Sequence, residues 1–402
     1  MNRSQSKGRR LAVVLSHPTQ YYSPWFQWLH RQTSVEFRVF YLWDFGVAQR
    51  HDPNFGTSIT WDVDLLSGYE SEFVPNRSAK PGAEHFFGFN NPELTKRLAL
   101  WRPDAVLIFG YKWASHLRAI AWARLNGVPL LFRGDSHLIG RQHPPLFVRI
   151  CLRILFAQFA AFLPVGSANK GYFEAFGVPA RKLFFAPHSV NAALFDRSRG
   201  QIALEASELR TALGLRPSTA VVLFAGKLVS GKQPMELLRA FLNLRPVDTA
   251  LLFVGEGAEK GKLERTAADA LSADSGSMVR FLPFANQSEM PSRYLLADVF
   301  VLPSLGETWG LAVNEAMHMG VPCIVSDRVG CQSDLVTNGE TGWVFEAADP
   351  EGLKRALSSA LGDVGIAPRK VEIQRAVAQR ISTYTYEQTT SGLLAALSAL
   401  DT

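Results

Sequence analysis

Short apolar runs recur along the chain and alternate with longer stretches of mixed character. In the first half, "RLAVVLS" (10–16), "EFRVFYL" (36–42), "DAVLIFG" (104–110), "PLLFRG" (129–134) and "AAFLPVG" (160–166) predict strands. Between them, "PELTKRLALW" and "ASHLRAIAWARLNG" predict helices, the second ending at Gly127, where a C-cap is expected. The stretch 195–219 is polar, lacks a strand pattern and reads as the connection between domains. The alternation then restarts: strands over 220–226, 249–257, 279–284, 298–304, 322–327 and 342–347, with helices over 234–244, 258–271 and 311–319. Nearly continuous apolar strands separated by helices predict parallel sheets covered on both faces. The reading is α/β, with two doubly wound domains facing a central cleft: an N-terminal domain over 1–200 and a C-terminal domain over 201–385. A terminal helix over 386–402 is placed to pack back on the first domain. In such sheets ligands sit beyond the carboxyl ends of the strands.

Composition narrows this picture. A chain of 402 residues is too long for one ordinary core. Hydrophobic residues at 47% and charged residues at 19% suit a globular enzyme and exclude a disordered or fibrous chain. The three cysteines, Cys151, Cys323 and Cys331, form no C-x-x-C pattern, which points to a reducing compartment and away from structural zinc. The apolar run after Arg9 and Arg10 is too short for a signal peptide and reads as the first strand. Residues 1–200 hold 24 Lys+Arg and 13 Asp+Glu, a net +11, against −5 for the remainder. A basic N-terminal half fits an anionic partner such as a phospholipid surface, a lipid diphosphate or a charged glycan. The cations are scattered and no zinc-finger or RNA-recognition signature is present, so nucleic acid is not expected. The segment "LFVRICLRILFAQFAAFL" (146–163) is too broken by charge to span a bilayer. It reads first as a helix packed on the sheet, with contact to an anionic membrane as the alternative.

Candidate chemistry in the second half follows strands. In "LFAGKLVSGKQP", Gly226 permits a tight turn, and Lys227 and Lys232 supply two cations suited to a diphosphate. The Walker A pattern is absent. "LFVGEGAEKGKLE" carries only G-x-G and reads as a turn into a helix. In "SLGETWGLAVNEAMHMG", Glu307 precedes a helix start near Gly310 or Leu311 and Glu315 lies within the helix. Carboxylates grip sugar hydroxyls, whereas a helix start offers free N–H groups to phosphate. The spacing therefore admits two readings, a sugar–diphosphate–ribose clamp or a helix capped and exposed in the ordinary way.

Three stretches together, "GKLVSGKQPMELLRAF", "FVGEGAEKGKLE" and the long run from "FLPFANQSEM" to "NGETGWVF", resemble the retaining family 4 glycosyltransferases (glycosyl transferases group 1), whose E-x7-E pattern stands here as Glu307 and Glu315. The resemblance implies a GT-B fold of two Rossmann-like domains. It implies a nucleotide diphosphate sugar as donor and co-substrate, with no cofactor and no metal. Lys232 stands where the family binds the diphosphate. Gly226 and Lys227 replace a usual Gly-Arg, which keeps the charge and loses the two-pronged geometry. Glu307 is expected on the transferred sugar and Glu315 on the ribose, and the backbone N–H groups of Trp309, Gly310 and Leu311 are expected to face phosphate.

Two departures stand out. "SHPTQYYSPWF" follows the first strand without the glycine-rich loop of many relatives, and Phe109 stands where many have histidine. His17, Asp135 and His137 are the candidates for the acceptor side. The expected activity is retaining, metal-independent transfer to a hydroxyl of a glycan or lipid-linked acceptor, in polysaccharide or glycolipid synthesis. The expected location is the cytoplasm, with peripheral contact at the inner face of the cell membrane. A nucleotide-sugar epimerase of the same fold and a non-catalytic nucleotide-sugar-binding protein stay open.

Overall fold

The computed structural model describes residues 9–47, 50–52, 57–140, 144–270, 277–347 and 349–401. The N-terminal strands are β1 (Arg10–Leu15), β2 (Glu36–Tyr41), the small antiparallel pair β3 (Arg50–Asp52) and β4 (Thr57–Ile59), β5 (Glu70–Phe73), β6 (Ala105–Phe109), β7 (Leu130–Arg133) and β8 (Ala161–Leu163). The C-terminal strands are β9 (Ala220–Ala225), β10 (Thr249–Val254), β11 (Ser277–Leu282), β12 (Val299–Leu302), β13 (Cys323–Ser326) and β14 (Gly342–Phe345). Two six-stranded parallel sheets result, ordered β5-β2-β1-β6-β7-β8 and β11-β10-β9-β12-β13-β14. Both follow the same doubly wound order, so each reverses direction at a switch point, between β1 and β6 and between β9 and β12.

Alternate residues of the N-terminal strands enter different cores. Ala12, Val14, Val106 and Ile108 face one layer, and Leu11, Val13, Leu107 and Leu131 face the other. Burial on both faces explains why these strands read as unbroken apolar runs. Strand β5 escapes sequence detection because it is an edge, polar in its middle. Its Glu70 pairs with Arg38 at 2.8 Å, and such charges block further pairing.

The stretch 195–219 is more than a connection. Residues Gly200–Ala212 form a helix that buries Ile202 and Ala206 against the C-terminal domain. The helix Tyr386–Ser398 crosses back to the N-terminal domain, where Tyr386, Leu393, Ala396 and Leu397 join its core. There the Trp25 indole N–H donates to Thr390 Oγ1 at 2.9 Å. The helix Leu146–Phe156 packs on the sheet domain by one face, with Phe156 buried and Leu152 and Leu155 against the same core, while Leu146, Phe147, Ile150 and Ile154 on its other face are exposed. Among the described residues no helix is long and apolar enough to cross a membrane.

Candidate active site between the two domains

The carboxyl ends of β9, β10 and β12 open into a cleft of about 340 Å³ shared by both domains. Its wall includes Gly226, Lys227, Lys232, Glu307, Trp309, Gly310, Leu311 and Glu315 from the C-terminal domain and Asp135 from the other. Glycines make the close approaches. Gly226 has φ +149° and Gly255 has φ +139°, and a Cβ on Gly255 would lie 2.1 Å from the Gly226 carbonyl oxygen. A Cβ on Gly257 would meet the Leu228 carbonyl at 2.4 Å. The G-x-G after β10 therefore holds the lysine loop in place, a packing role that needs no dinucleotide.

Lys232 ends a short 3-10 turn, Ser230–Lys232, before Pro234 opens the helix Pro234–Leu244. Its ammonium pairs directly with the Glu307 carboxylate, which also accepts from Ser304 Oγ at 3.0 Å. The Glu307 backbone is pinned as well: its N–H donates to Arg328 O at 3.2 Å and its carbonyl accepts from Gly330 N at 3.0 Å. Gly310, with φ +104°, turns the chain into the helix Leu311–His318. Trp309 lines the cleft but is buried, its indole N–H bonded to Asn314 Oδ1 at 2.8 Å. The first N–H groups of the helix have no intrahelical acceptor, as at any helix start.

Glu315 is buried on the second turn of that helix. It accepts from the Tyr294 hydroxyl at 2.8 Å and from Gln287 Nε2 at 3.3 Å, and the Tyr21 hydroxyl joins them. Burial raises its pKa, and these donors oppose the rise. Tyr21 belongs to the glycine-free loop after β1, so the N-terminal domain contributes a phenol to this carboxylate.

The acceptor-side candidates separate. Asp135 lies in the cleft and accepts from Thr308 Oγ1 at 2.8 Å. Burial works against its charge, but the His188 ring and the Thr308 hydroxyl outweigh that and hold it at about 2. His137 does not line the cleft: Nε2 bonds the Glu307 carbonyl across the domains at 2.7 Å and Nδ1 accepts from Ile139 N in its own loop at 3.1 Å, so both nitrogens are spent. His17 also lies outside it, bonded through Nδ1 to Ser16 Oγ at 3.0 Å and packed edge-on against Trp43 and Phe45. Burial lowers its pKa to about 4.

His188 takes the place left by these two. It is 4% exposed, lines the cleft beside Trp309, and its Nε2 lies 3.8 Å from Asp135 Oδ2 without a hydrogen-bond partner. Nothing in "FAPHSVNAALF" marks it, because only the fold of the N-terminal domain brings it to Asp135, 53 residues earlier in the chain. Among the described residues no group of three or more His, Cys, Asp or Glu could hold a metal ion.

Residues 205–376 match the family described as Glycosyl transferases group 1. Over 207 residues, 50% of this chain and 44% of the relative, the sequence is 32% identical to the D-inositol 3-phosphate glycosyltransferase of Salinispora arenicola. The chain spans about half the length of the curated relatives it matches. It superposes on a solved glycosyltransferase from Rickettsia africae with a TM-score of 0.75 at 13% identity, covering 98% of this chain and 99% of that one. Anabaena HepE in complex with UDP and glucose superposes with a TM-score of 0.69 at 16% identity, covering 98% and 100%. At these identities the structural likeness establishes the fold.

Proposed function

Since residues 205–376 belong to the glycosyl transferases group 1 family and the two domains form a GT-B fold, we propose that the protein transfers a sugar from a nucleotide diphosphate sugar to a hydroxyl acceptor, with retention. The observation that carries this reading is the convergence of Lys227, Lys232, Glu307, Glu315 and one helix start on a single interdomain cleft. The diphosphate lies between the two lysines and the N–H groups at Gly310 and Leu311. Their fixed charge stabilises the leaving diphosphate without a metal. Glu307 turns to the sugar hydroxyls and Glu315 to the ribose. When phosphate arrives it shares Lys232 with Glu307, so the ion pair aligns sugar and leaving group together.

The acceptor oxygen attacks the anomeric carbon from the face that the leaving phosphate vacates. The C–O bond to phosphate breaks, the new glycosidic bond forms, and the acceptor's proton passes to the departing phosphate oxygen. Asp135 and His188 stand on the acceptor side, where a carboxylate and a desolvated imidazole can orient a hydroxyl. The acceptor is a glycan or lipid-linked glycan of surface polysaccharide or glycolipid synthesis, and the reaction runs in the cytoplasm.

A panel of nucleotide sugars, supplied alone and with acceptor extract, tests the reading. Sugar-bearing product that requires acceptor and disappears in Glu307→Ala supports it. Release of an altered free sugar nucleotide without acceptor indicates an epimerase. Turnover unchanged in both Glu307→Ala and Lys232→Ala overturns the site.

A further inference from the structure

The helix Leu146–Phe156 fully buries one residue, Phe156, although nine of its eleven positions are apolar and two are arginine. Leu146 is 70% exposed, Phe147 67%, Ile150 49% and Ile154 61%. At 100° per residue, Leu146, Ile150, Ile154, Phe147 and Cys151 span one continuous arc of about 140°. Leu152 and Leu155 turn the opposite way, toward the core around Phe132 and Phe162. Arg153 and Arg149 fall between the two arcs, so they edge the apolar stripe on one side. Beyond Arg153 lies a second cavity of about 570 Å³, with Phe156, Phe162, Phe176 and Val178 on its walls and Arg153, Arg181 and Lys182 at its polar positions. It has no carboxylate among its lining residues. Among the described residues no ion pair engages Arg149, Arg153 or Arg181. An apolar stripe held outward is costly in water, and with cations along its edge it matches an interface that is apolar inside and anionic at its surface.

We propose that this helix docks the protein on an anionic phospholipid surface. The apolar arc enters the headgroup–acyl boundary while Arg149, Arg153 and Arg181 meet lipid phosphates. The net +11 of residues 1–200 adds long-range attraction of the same sign. Position supports the assignment. Asp135 in the cleft precedes this helix by only eleven positions in the sequence, so the acceptor side and the docked face belong to neighbouring parts of the chain. This extends the transferase reading by naming the surface from which a lipid-linked acceptor is presented. The lipid contact is tested without donor or acceptor, so failure of one reading leaves the other standing.

Co-sedimentation with phosphatidylglycerol-containing vesicles, compared with phosphatidylcholine vesicles at low and high salt, tests the proposal. Wild type is expected to bind the anionic vesicles in a salt-sensitive way. Arg149→Gln with Arg153→Gln should weaken partitioning about thirtyfold, and Ile150→Glu with Ile154→Glu should abolish it. All four side chains lie at or near the surface, so melting temperature and UDP binding should stay at wild-type values and separate loss of docking from loss of fold. Cys151 is exposed whereas Cys323 and Cys331 are buried, so a polarity-sensitive thiol probe reports on the stripe itself and should shift to an apolar spectrum with anionic vesicles. Absence of vesicle binding overturns the proposal, as does binding that survives Ile150→Glu with Ile154→Glu. A wild-type dimer that this pair converts to monomer, without vesicle binding, overturns it in favour of self-association.

Discussion

At the scale of single residues, the Lys232–Glu307 pair separates two functions that mutation can pull apart. Lys232→Ala removes the charge proposed to hold the diphosphate and takes the ammonium from Glu307, which keeps only Ser304 Oγ as a side-chain donor. Losing one charge-assisted contact should weaken UDP binding about tenfold or more by calorimetry. Glu307→Ala frees Lys232 for phosphate, so UDP should still bind, while turnover of the sugar nucleotide falls about 10²-fold or more. Equal loss of UDP affinity in both variants would contradict the division of roles.

His116 makes a different prediction, about stability. It is fully buried, both ring nitrogens lack a partner, and burial lowers its pKa to about 3. The unfolded chain protonates near 6.5 and the folded chain does not. The stability is therefore complete above about 6.5 and is lost as pH falls toward 3, at up to about 1.4 kcal/mol per pH unit. The melting temperature should drop over that window, and His116→Phe should flatten the drop.

At the scale of elements, the turn after β10 supports the lysine loop through backbone contact. Gly255→Ala pushes a methyl into the Gly226 carbonyl from a backbone conformation that L-residues avoid. It should lower UDP affinity and melting temperature together, because Lys227 moves with Gly226. The elements of this domain were largely legible beforehand. The helix read over 234–244 is Pro234–Leu244, and that read over 311–319 is Leu311–His318. Long apolar or amphipathic periods with clear Pro and Gly stops leave little choice. Strand β5 and the helix Gly200–Ala212 were not legible, one because a charged edge hides its period, the other because only Ile202 and Ala206 of its residues are buried. Leu146–Phe156 was read as a helix, but its exposed side could not be assigned, since an apolar residue facing the core and one facing outward look alike in one dimension.

At the scale of the whole molecule, polar bridges join the two domains. Asp62 accepts from Ser288 N at 3.2 Å, Asn286 Nδ2 donates to Thr60 O at 2.8 Å, and Asp334 accepts from Ser167 N at 3.0 Å and from Ser167 Oγ at 2.8 Å. These exposed contacts add little to stability, within about 0.5 kcal/mol each. Asp62→Ala with Asp334→Ala should therefore leave the melting temperature nearly unchanged, widen the molecule in X-ray scattering and raise the donor KM. A large fall in melting temperature with unchanged KM would instead make the bridges structural.

The sequence by itself determined the two parallel α/β domains and the donor-side spacing, because apolar period and glycine positions act over a few residues, where backbone sterics decide. Tertiary structure alone decided that Tyr21 reaches Glu315, that His188 stands beside Asp135 in place of His17 and His137, and that one apolar helix face turns to solvent. Tyr21 and Glu315 lie about 300 residues apart and meet through the packing of one domain against the other, whereas the His188–Asp135 approach and the exposed helix face are set inside the N-terminal domain, where only the folded chain brings separate loops together.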